Sequence, residues 1–368
     1  MEAREHPIHP QPVKGRGALS RLPHRFTIDA RDTFDDGWGE PGADDGTPPP
    51  VTEVLLEDAR SAISANDSPD IPFDYSVNPY RGCEHGCIYC FARPTHSYLG
   101  FSPGLDFETK IVAKRNLAAL LARELAAPRY RPAPINLGSA TDAYQPVERA
   151  LRLTRGVVEV LARACHPFTV VTKSSGVELD LDLIAPMAAQ RLAAVYVTIT
   201  TLDARLARIL EPRAAMPARR LATVRALAEA GVPVGVSVAP QIPFITDDME
   251  QVLAAAHAAG ARRAFYTVLR LPWELSPLFR EWLAAHFPDR AERVMARVRE
   301  MRAGRDYDSA WAQRMHGQGV WAELLRQRFA TACRRLGLTG ERSGLTLARF
   351  DPGALRAQGD LFGPDGFS

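Results

Sequence analysis

Lysine is nearly missing from this chain. Of 45 Lys and Arg residues, only Lys14, Lys110, Lys114 and Lys173 are lysine, so 45 minus four leaves 41 arginines. With alanine abundant, this is the usage of a GC-rich genome rather than a nucleic-acid footprint. The 43 Asp and Glu bring the net charge to +2, which leaves no global field to gather a polyanion or coat a membrane. Long apolar runs are also lacking: none approaches the ~20 residues of a membrane-spanning helix. No charged start leads into an apolar stretch and a small-residue cleavage site, so a cytoplasmic location is expected. Cysteine is scarce and odd in number, five in all, with three clustered, which argues against a secreted disulfide framework. The 46% hydrophobic and 24% charged content is that of a globular protein. A length of 368 residues suits one large α/β domain with extensions, or two ordinary domains.

What is present is concentrated in one stretch, Arg81-Gly82-Cys83-Glu84-His85-Gly86-Cys87-Ile88-Tyr89-Cys90-Phe91. Three thiolates spaced C-x3-C-x2-C on one tight loop can each ligate one iron of a cubane [4Fe–4S] cluster, leaving the fourth iron open to a small molecule. Gly82 and Gly86 stand where such a loop needs positive φ and close backbone approach. Tyr89 brings a flat ring beside the open iron. The plain alternative is a zinc knuckle at Cys83, Cys87 and Cys90, with His85 or His96 as fourth ligand; it lacks the second close cysteine pair usual in zinc sites. The spacing resembles the signature of radical S-adenosylmethionine (SAM) enzymes. That resemblance implies a [4Fe–4S] cluster and SAM as cofactors, with Tyr89 near the adenine and the SAM amino and carboxylate groups on the open iron.

Along the chain, residues 1–50 form a Pro-, Gly- and Arg-rich arm. Its tract 35–50 reads as linker, whereas Gly15–Ser20 and His24–Phe26 suit an ordered strap. An amphipathic segment is expected over 51–65. Strands are expected at 73–78, directly before the cysteine loop, and at 135–139, 168–173, 194–200, 234–239 and 263–269, each a continuous apolar run suited to burial on both faces. Helices are expected at 110–126, 147–164, 179–190, 217–230 and 246–259, with Thr246 as an N-cap and Gly231 and Gly260 at C-caps. This alternation argues a parallel sheet of βαβ units: an α/β fold, a partial (βα)6 TIM-like barrel over 51–272. A helical extension with an irregular tail follows over 273–368.

In such folds reactive groups sit at the C-terminal ends of strands. After the 135–139 strand come Ser139, Thr141 and Asp142, which the resemblance places at the SAM amino group in lieu of the usual Gly-Gly-Glu; Asp142 would also suit an Asx turn. Lys173 and Ser174 follow the next strand. A lysine there is costly to bury unpaired, and the resemblance offers the SAM carboxylate; a salt bridge to a structural carboxylate is the alternative. Beyond the strand 194–200 lies Leu210-Glu211-Pro212-Arg213. Arg213 is expected to fork the SAM carboxylate and Glu211 to hold the ribose or pair with Arg213; a surface ion pair is the weaker alternative.

Asn78-Pro79-Tyr80-Arg81-Gly82-Cys83, Thr141-Asp142, Thr172-Lys173-Ser174 and Leu210-Glu211-Pro212-Arg213 together are similar to the spore photoproduct lyase-like branch, closest to its uncharacterised bacterial members. The resemblance runs over about 68–271. It implies an enzyme in which an electron, from a partner such as flavodoxin or ferredoxin, cleaves SAM to a 5′-deoxyadenosyl radical that abstracts hydrogen from a substrate. Spore photoproduct lyase acts on a thymine dimer in DNA and returns hydrogen from a cysteine just after its second strand. Gly138–Tyr144 has none, which leaves Tyr144 and Tyr266 as hydrogen-donor guesses; Cys165 and Cys333 read as buried hydrophobes. DNA binding has no support from an interleaved basic and aromatic patch. Three readings stand in order: a radical SAM enzyme of undetermined substrate, a DNA-photoproduct lyase, and a zinc-stapled binding protein.

Overall fold

The computed structural model describes residues 13–27, 50–311, 313–340 and 344–356. Residues 35–49 of the linker expected over 35–50, and the end of the tail, 357–368, lie outside the described residues. Ten strands are numbered in chain order: β1 (Glu53–Glu57), β2 (Ile63–Ala65), β3 (Tyr75–Val77), β4 (Tyr80–Arg81), β5 (Lys110–Lys114), β6 (Ile135–Leu137), β7 (Phe168–Thr172), β8 (Ala193–Thr198), β9 (Val234–Gln241) and β10 (Arg263–Val268). They make two sheets, ordered β1-β5-β4 and β10-β9-β8-β7-β6-β3-β2.

From β3 to β10 every neighbouring pair in the larger sheet is parallel, and β2 adds antiparallel at the edge. The six parallel strands carry helices between them, so the molecule is the α/β, open-barrel fold expected. Ile135, Leu137, Phe168, Val170, Val195, Val197, Val234, Val236 and Val238 are at most 3% exposed and pack in one apolar core with the helices. Each such side chain contributes about 1.5–3 kcal/mol of burial. Strand alternation turns the intervening residues the other way, onto the inner face. There the register lines up Tyr196, Gly235 and Arg263 in one row, and Thr198, Ser237 and Phe265 in the next.

Local differences from expectation have identifiable causes. Lys110–Lys114 is a strand, not the start of a helix: Ile111 and Ala113 are fully buried between β1 and β4, and only Leu117–Leu125 is helical. The segment 51–65 likewise supplies β1 and β2 rather than one amphipathic element. The helix expected over 147–164 breaks at Arg152, whose φ of 51° is left-handed. Thr246 caps nothing. Its hydroxyl accepts from Ile242 N at 2.8 Å, and the helix begins at Met249.

Candidate active site

The cysteine loop hangs from β4, whose Tyr80 and Arg81 pair with Ala113 and Val112 of β5. Gly82 turns the chain at φ 78°, where a Cβ would lie 2.9 Å from Phe107 O and 3.0 Å from Lys110 O. Gly86 turns it again at φ 67°. Cys83 N donates to Phe107 O at 2.9 Å and Ile88 N to Leu210 O at 3.1 Å. Cys83 and Cys87 are buried, Cys90 is half-buried, and all three are free thiols. Burial pushes the Cys87 thiol up to about 12 against the pull of Lys173, and lifts Cys83 well above its usual range.

Beneath the loop lies a sealed polar cradle. Arg93, wholly buried, donates from Nε to Cys87 O at 2.9 Å and from its guanidinium nitrogens to Gly86 O at 3.0 Å and Gly104 O at 2.9 Å, and it pairs with buried Glu108. Glu108 accepts in turn from Gly17 N at 2.9 Å and Ala18 N at 2.8 Å. The segment 13–27 is thereby pressed against the loop so closely that a Cβ on Gly17 would overlap Gly86 O. Gln145, also wholly buried, accepts from Glu84 N at 2.9 Å and donates to Gly82 O at 3.2 Å.

The loop's upper flank meets the strand ends. Tyr89 donates its hydroxyl to Glu211 and lies 3.1 Å from Thr200 Oγ1, which donates to Glu211 at 2.6 Å. Glu211 pairs with wholly buried Arg220, which also donates to Thr198 O at 3.1 Å. Burial alone would raise the Glu211 carboxyl, but Arg220 and Lys173 hold it down at about 2. Burial and the Glu211 charge raise the Tyr89 phenol well above its usual range. Lys173 stands 5.7 Å over the Tyr89 ring with no ion-pair partner among the described residues. Burial opposes its charge, yet Cys87 and Glu211 outweigh burial and raise its pKa.

The remaining expected residues are placed as follows. Asp142 accepts from Thr172 Oγ1 and Lys173 N, both at 2.7 Å, and from Tyr144 N at 2.9 Å in an Asx turn, and lies 3.3 Å from His85 Nδ1. Burial disfavours its charge, but His85 and these donors hold the carboxyl below its ordinary range. Ser139 exchanges hydrogen bonds with Asn78, Thr141 donates to Tyr80 O, and Ser174 caps the turn Ser175–Asp180. Arg213 does not meet Glu211. Its guanidinium pairs with Glu84 at 2.9 Å, because Arg220 arrives from the helix Pro217–Glu229 to take Glu211.

Both donor guesses fall on the helix side of the sheet. Tyr144 donates to Asp180 at 3.0 Å, and Tyr266 packs against His316 and Phe329. Among the described strand residues, a phenol on the inner face is Tyr196, lying over Gly235 and 5.5 Å from the Phe265 ring. Sequence reasoning also missed Arg93, Glu108, Gln145 and Arg220. No local signal marked them: Glu108 stands beside Thr109 and Lys110, and Arg220 beside Arg219.

The three thiols fit a cluster better than a zinc ion. His96 points Nε2 at Lys110 O, 3.1 Å away, and packs edge-on to Phe107; His85 faces Asp142. Among the described residues no three His, Cys, Asp or Glu converge where one ion could be held, whereas in a cubane each thiolate binds its own iron. The Lys173 ammonium stands over the ring of Tyr89, itself part of the loop.

A sequence profile of the radical SAM superfamily matches residues 77–256. An uncharacterised protein of Mycobacterium tuberculosis is 36% identical over 292 residues, covering 78% of this chain and 82% of the relative. One of Methanocaldococcus jannaschii is 25% identical over 240 residues, covering 65% and 86%. Among solved structures, spore photoproduct lyase complexed with dinucleoside spore photoproduct superposes with a TM-score of 0.55 at 15% identity, over 78% of this chain and 81% of that one. At that identity the likeness is one of fold. Among the described residues no helix is long and apolar enough to cross a membrane.

Proposed function

The chain belongs to the radical SAM superfamily, whose members use a [4Fe–4S] cluster and SAM, and from that premise we propose that it is an enzyme of hydrogen-atom abstraction. The observation that carries this reading is the meeting of Cys83, Cys87 and Cys90 with the unpaired Lys173 ammonium over the Tyr89 ring. When bound, cluster and SAM supply a 5′-deoxyadenosyl radical on delivery of one electron from a reductant such as flavodoxin or ferredoxin.

The chain's own residues then have separate tasks. Cys83, Cys87 and Cys90 hold three irons. Lys173 neutralises the SAM carboxylate, and Tyr89, fixed by Thr200 and Glu211, gives the adenine a flat wall. Glu211 acts by holding Tyr89 and Arg220; with both oxygens engaged it is a positioning group. Asp142, Ser139, Thr141 and Ser174 shape the loop on the amino-group side, and Arg213 anchors the cysteine loop through Glu84. The inner face, with Tyr196, Phe265 and Thr267 half-exposed, takes the substrate.

A thymine-dimer lyase is the weaker reading. Cys165 and Cys333 pack with the helix-side core, so among the described residues no thiol beyond the loop lines the inner face to return hydrogen.

The test is anaerobic reconstitution with iron and sulfide, then reduction, SAM and an assay for 5′-deoxyadenosine. Wild type is expected to release it and Cys87→Ala to release none. A colourless protein that binds zinc and leaves SAM intact would refute the reading.

A further inference from the structure

One arginine beside the site is left without a partner. Arg270 follows the end of β10, half-buried, with its Cζ 4.1 Å from the centre of the Phe91 ring. Among the described residues its guanidinium has no hydrogen-bond or ion-pair partner. Most buried or half-buried arginines among the described residues are paired; Arg263, at the start of β10, is another that is not. Buried Arg93 and Arg220 each hold a carboxylate, and buried Arg16 and Arg302 donate to backbone carbonyls. A guanidinium out of water is expensive unless paired, and burial here lowers the Arg270 pKa.

The one carboxylate within electrostatic reach among the described residues, Asp70, is bound elsewhere. Arg302 is spent on Leu269 O and Gln313 O, and Arg314 takes both oxygens of Asp70. Two of the nearest charges are therefore of the same sign, and Cys90 of the loop is within electrostatic reach. Stacking on Phe91 fixes the guanidinium plane while its edge keeps a two-pronged set of donors, the geometry that matches a carboxylate or phosphate. Lys173 stands on the Cys87 side of the loop and Arg270 on the Cys90 side.

We propose that Arg270 docks an anionic group of the substrate, a carboxylate or a phosphate, at the end of β10 beside the third cysteine of the loop. Naming that anion as substrate rests on the radical chemistry proposed above; the anion site itself does not.

The experiment titrates phenyl phosphate and benzoate, separately, into the anaerobically reconstituted full chain by calorimetry. At least one probe is expected to bind wild type and to weaken tenfold or more in Arg270→Gln, with partial recovery in Arg270→Lys. Tighter phenyl phosphate points to a phosphoester substrate, tighter benzoate to a carboxylic acid. In wild type the same probe should slow phenylglyoxal modification of Arg270, read by peptide mass, which tests the site even if Arg270→Gln fails to fold. Equal probe affinity in wild type and Arg270→Gln, or no binding of either probe, overturns the proposal. So does a tenfold loss of SAM affinity in Arg270→Gln, which assigns Arg270 to SAM. Because probe binding needs no SAM cleavage, failure of the anion site and failure of the radical reading are told apart.

Discussion

Two arginines close to the same loop are treated in opposite ways. Arg93, under the loop, is wholly buried and spends its donors on Cys87 O, Gly86 O, Gly104 O and Glu108. Arg270, at the rim, lies against Phe91 and spends none on the described residues. The difference separates what must not move from what must be filled. A cradle that positions three sulfurs needs its buried charges paired, because an unpaired one would pull the loop out of shape. A surface that receives a ligand must keep its donors in reserve, and bears the desolvation until the ligand arrives.

The largest effect that would sharpen this contrast comes from Arg93→Met. It leaves Glu108 as a buried charge with only backbone partners, so a loss of about 3–5 kcal/mol is expected. Denaturant melts would show it, together with failure to retain reconstituted iron. Stability within about 1 kcal/mol of wild type would mean that the cradle does not hold the loop.

How much of this was open to reading from residues follows the range of each interaction. The turns of the cysteine loop at Gly82 and Gly86 were legible because a need for positive φ is local. The strands were legible because parallel strands buried on both faces read as continuous apolar runs. That same continuity hid which face each residue takes: Tyr266 and Tyr196 look alike in sequence, yet one meets Phe329 and the other lies over Gly235. Lys110–Lys114 became a strand only because β1 and β4, distant in the chain, flank it. Glu211 sits two residues before Arg213, but its partner comes from the next helix. The Arg93–Glu108 pair draws on Gly17 and Ala18, some ninety residues away, and no local pattern announces such closure.

A second, smaller effect separates the two regions by pH. Burial pushes His96, under the loop, down to about 4 from an ordinary 6.5. The unfolded chain therefore binds the extra proton first. Stability from this group is complete above about pH 6.5 and is lost as pH falls toward about 4, by on the order of 3 kcal/mol at most. His166, bonded to Tyr130 at the other end of β7, is also pushed down to about 4 by burial. Anaerobic melts of His96→Gln are expected to lose about half of the acid dependence that the two histidines share. An unchanged pH profile would show that the cradle opens to solvent before it titrates.

The smallest effect is the most telling. Arg270→Met makes at the rim the same change as Arg93→Met makes in the cradle. It removes a cation–π contact worth about 0.5–1 kcal/mol, and it also removes the desolvation of a charge that no described residue pairs. These terms oppose one another, so the melt should shift by less than about 1 kcal/mol in either direction. A loss as large as that of Arg93→Met would make Arg270 a structural group with a partner in the folded chain, and the contrast between cradle and rim would collapse. A near-zero shift, set beside a large one below the loop, would mean that this side chain is kept for what it binds rather than for what it holds together.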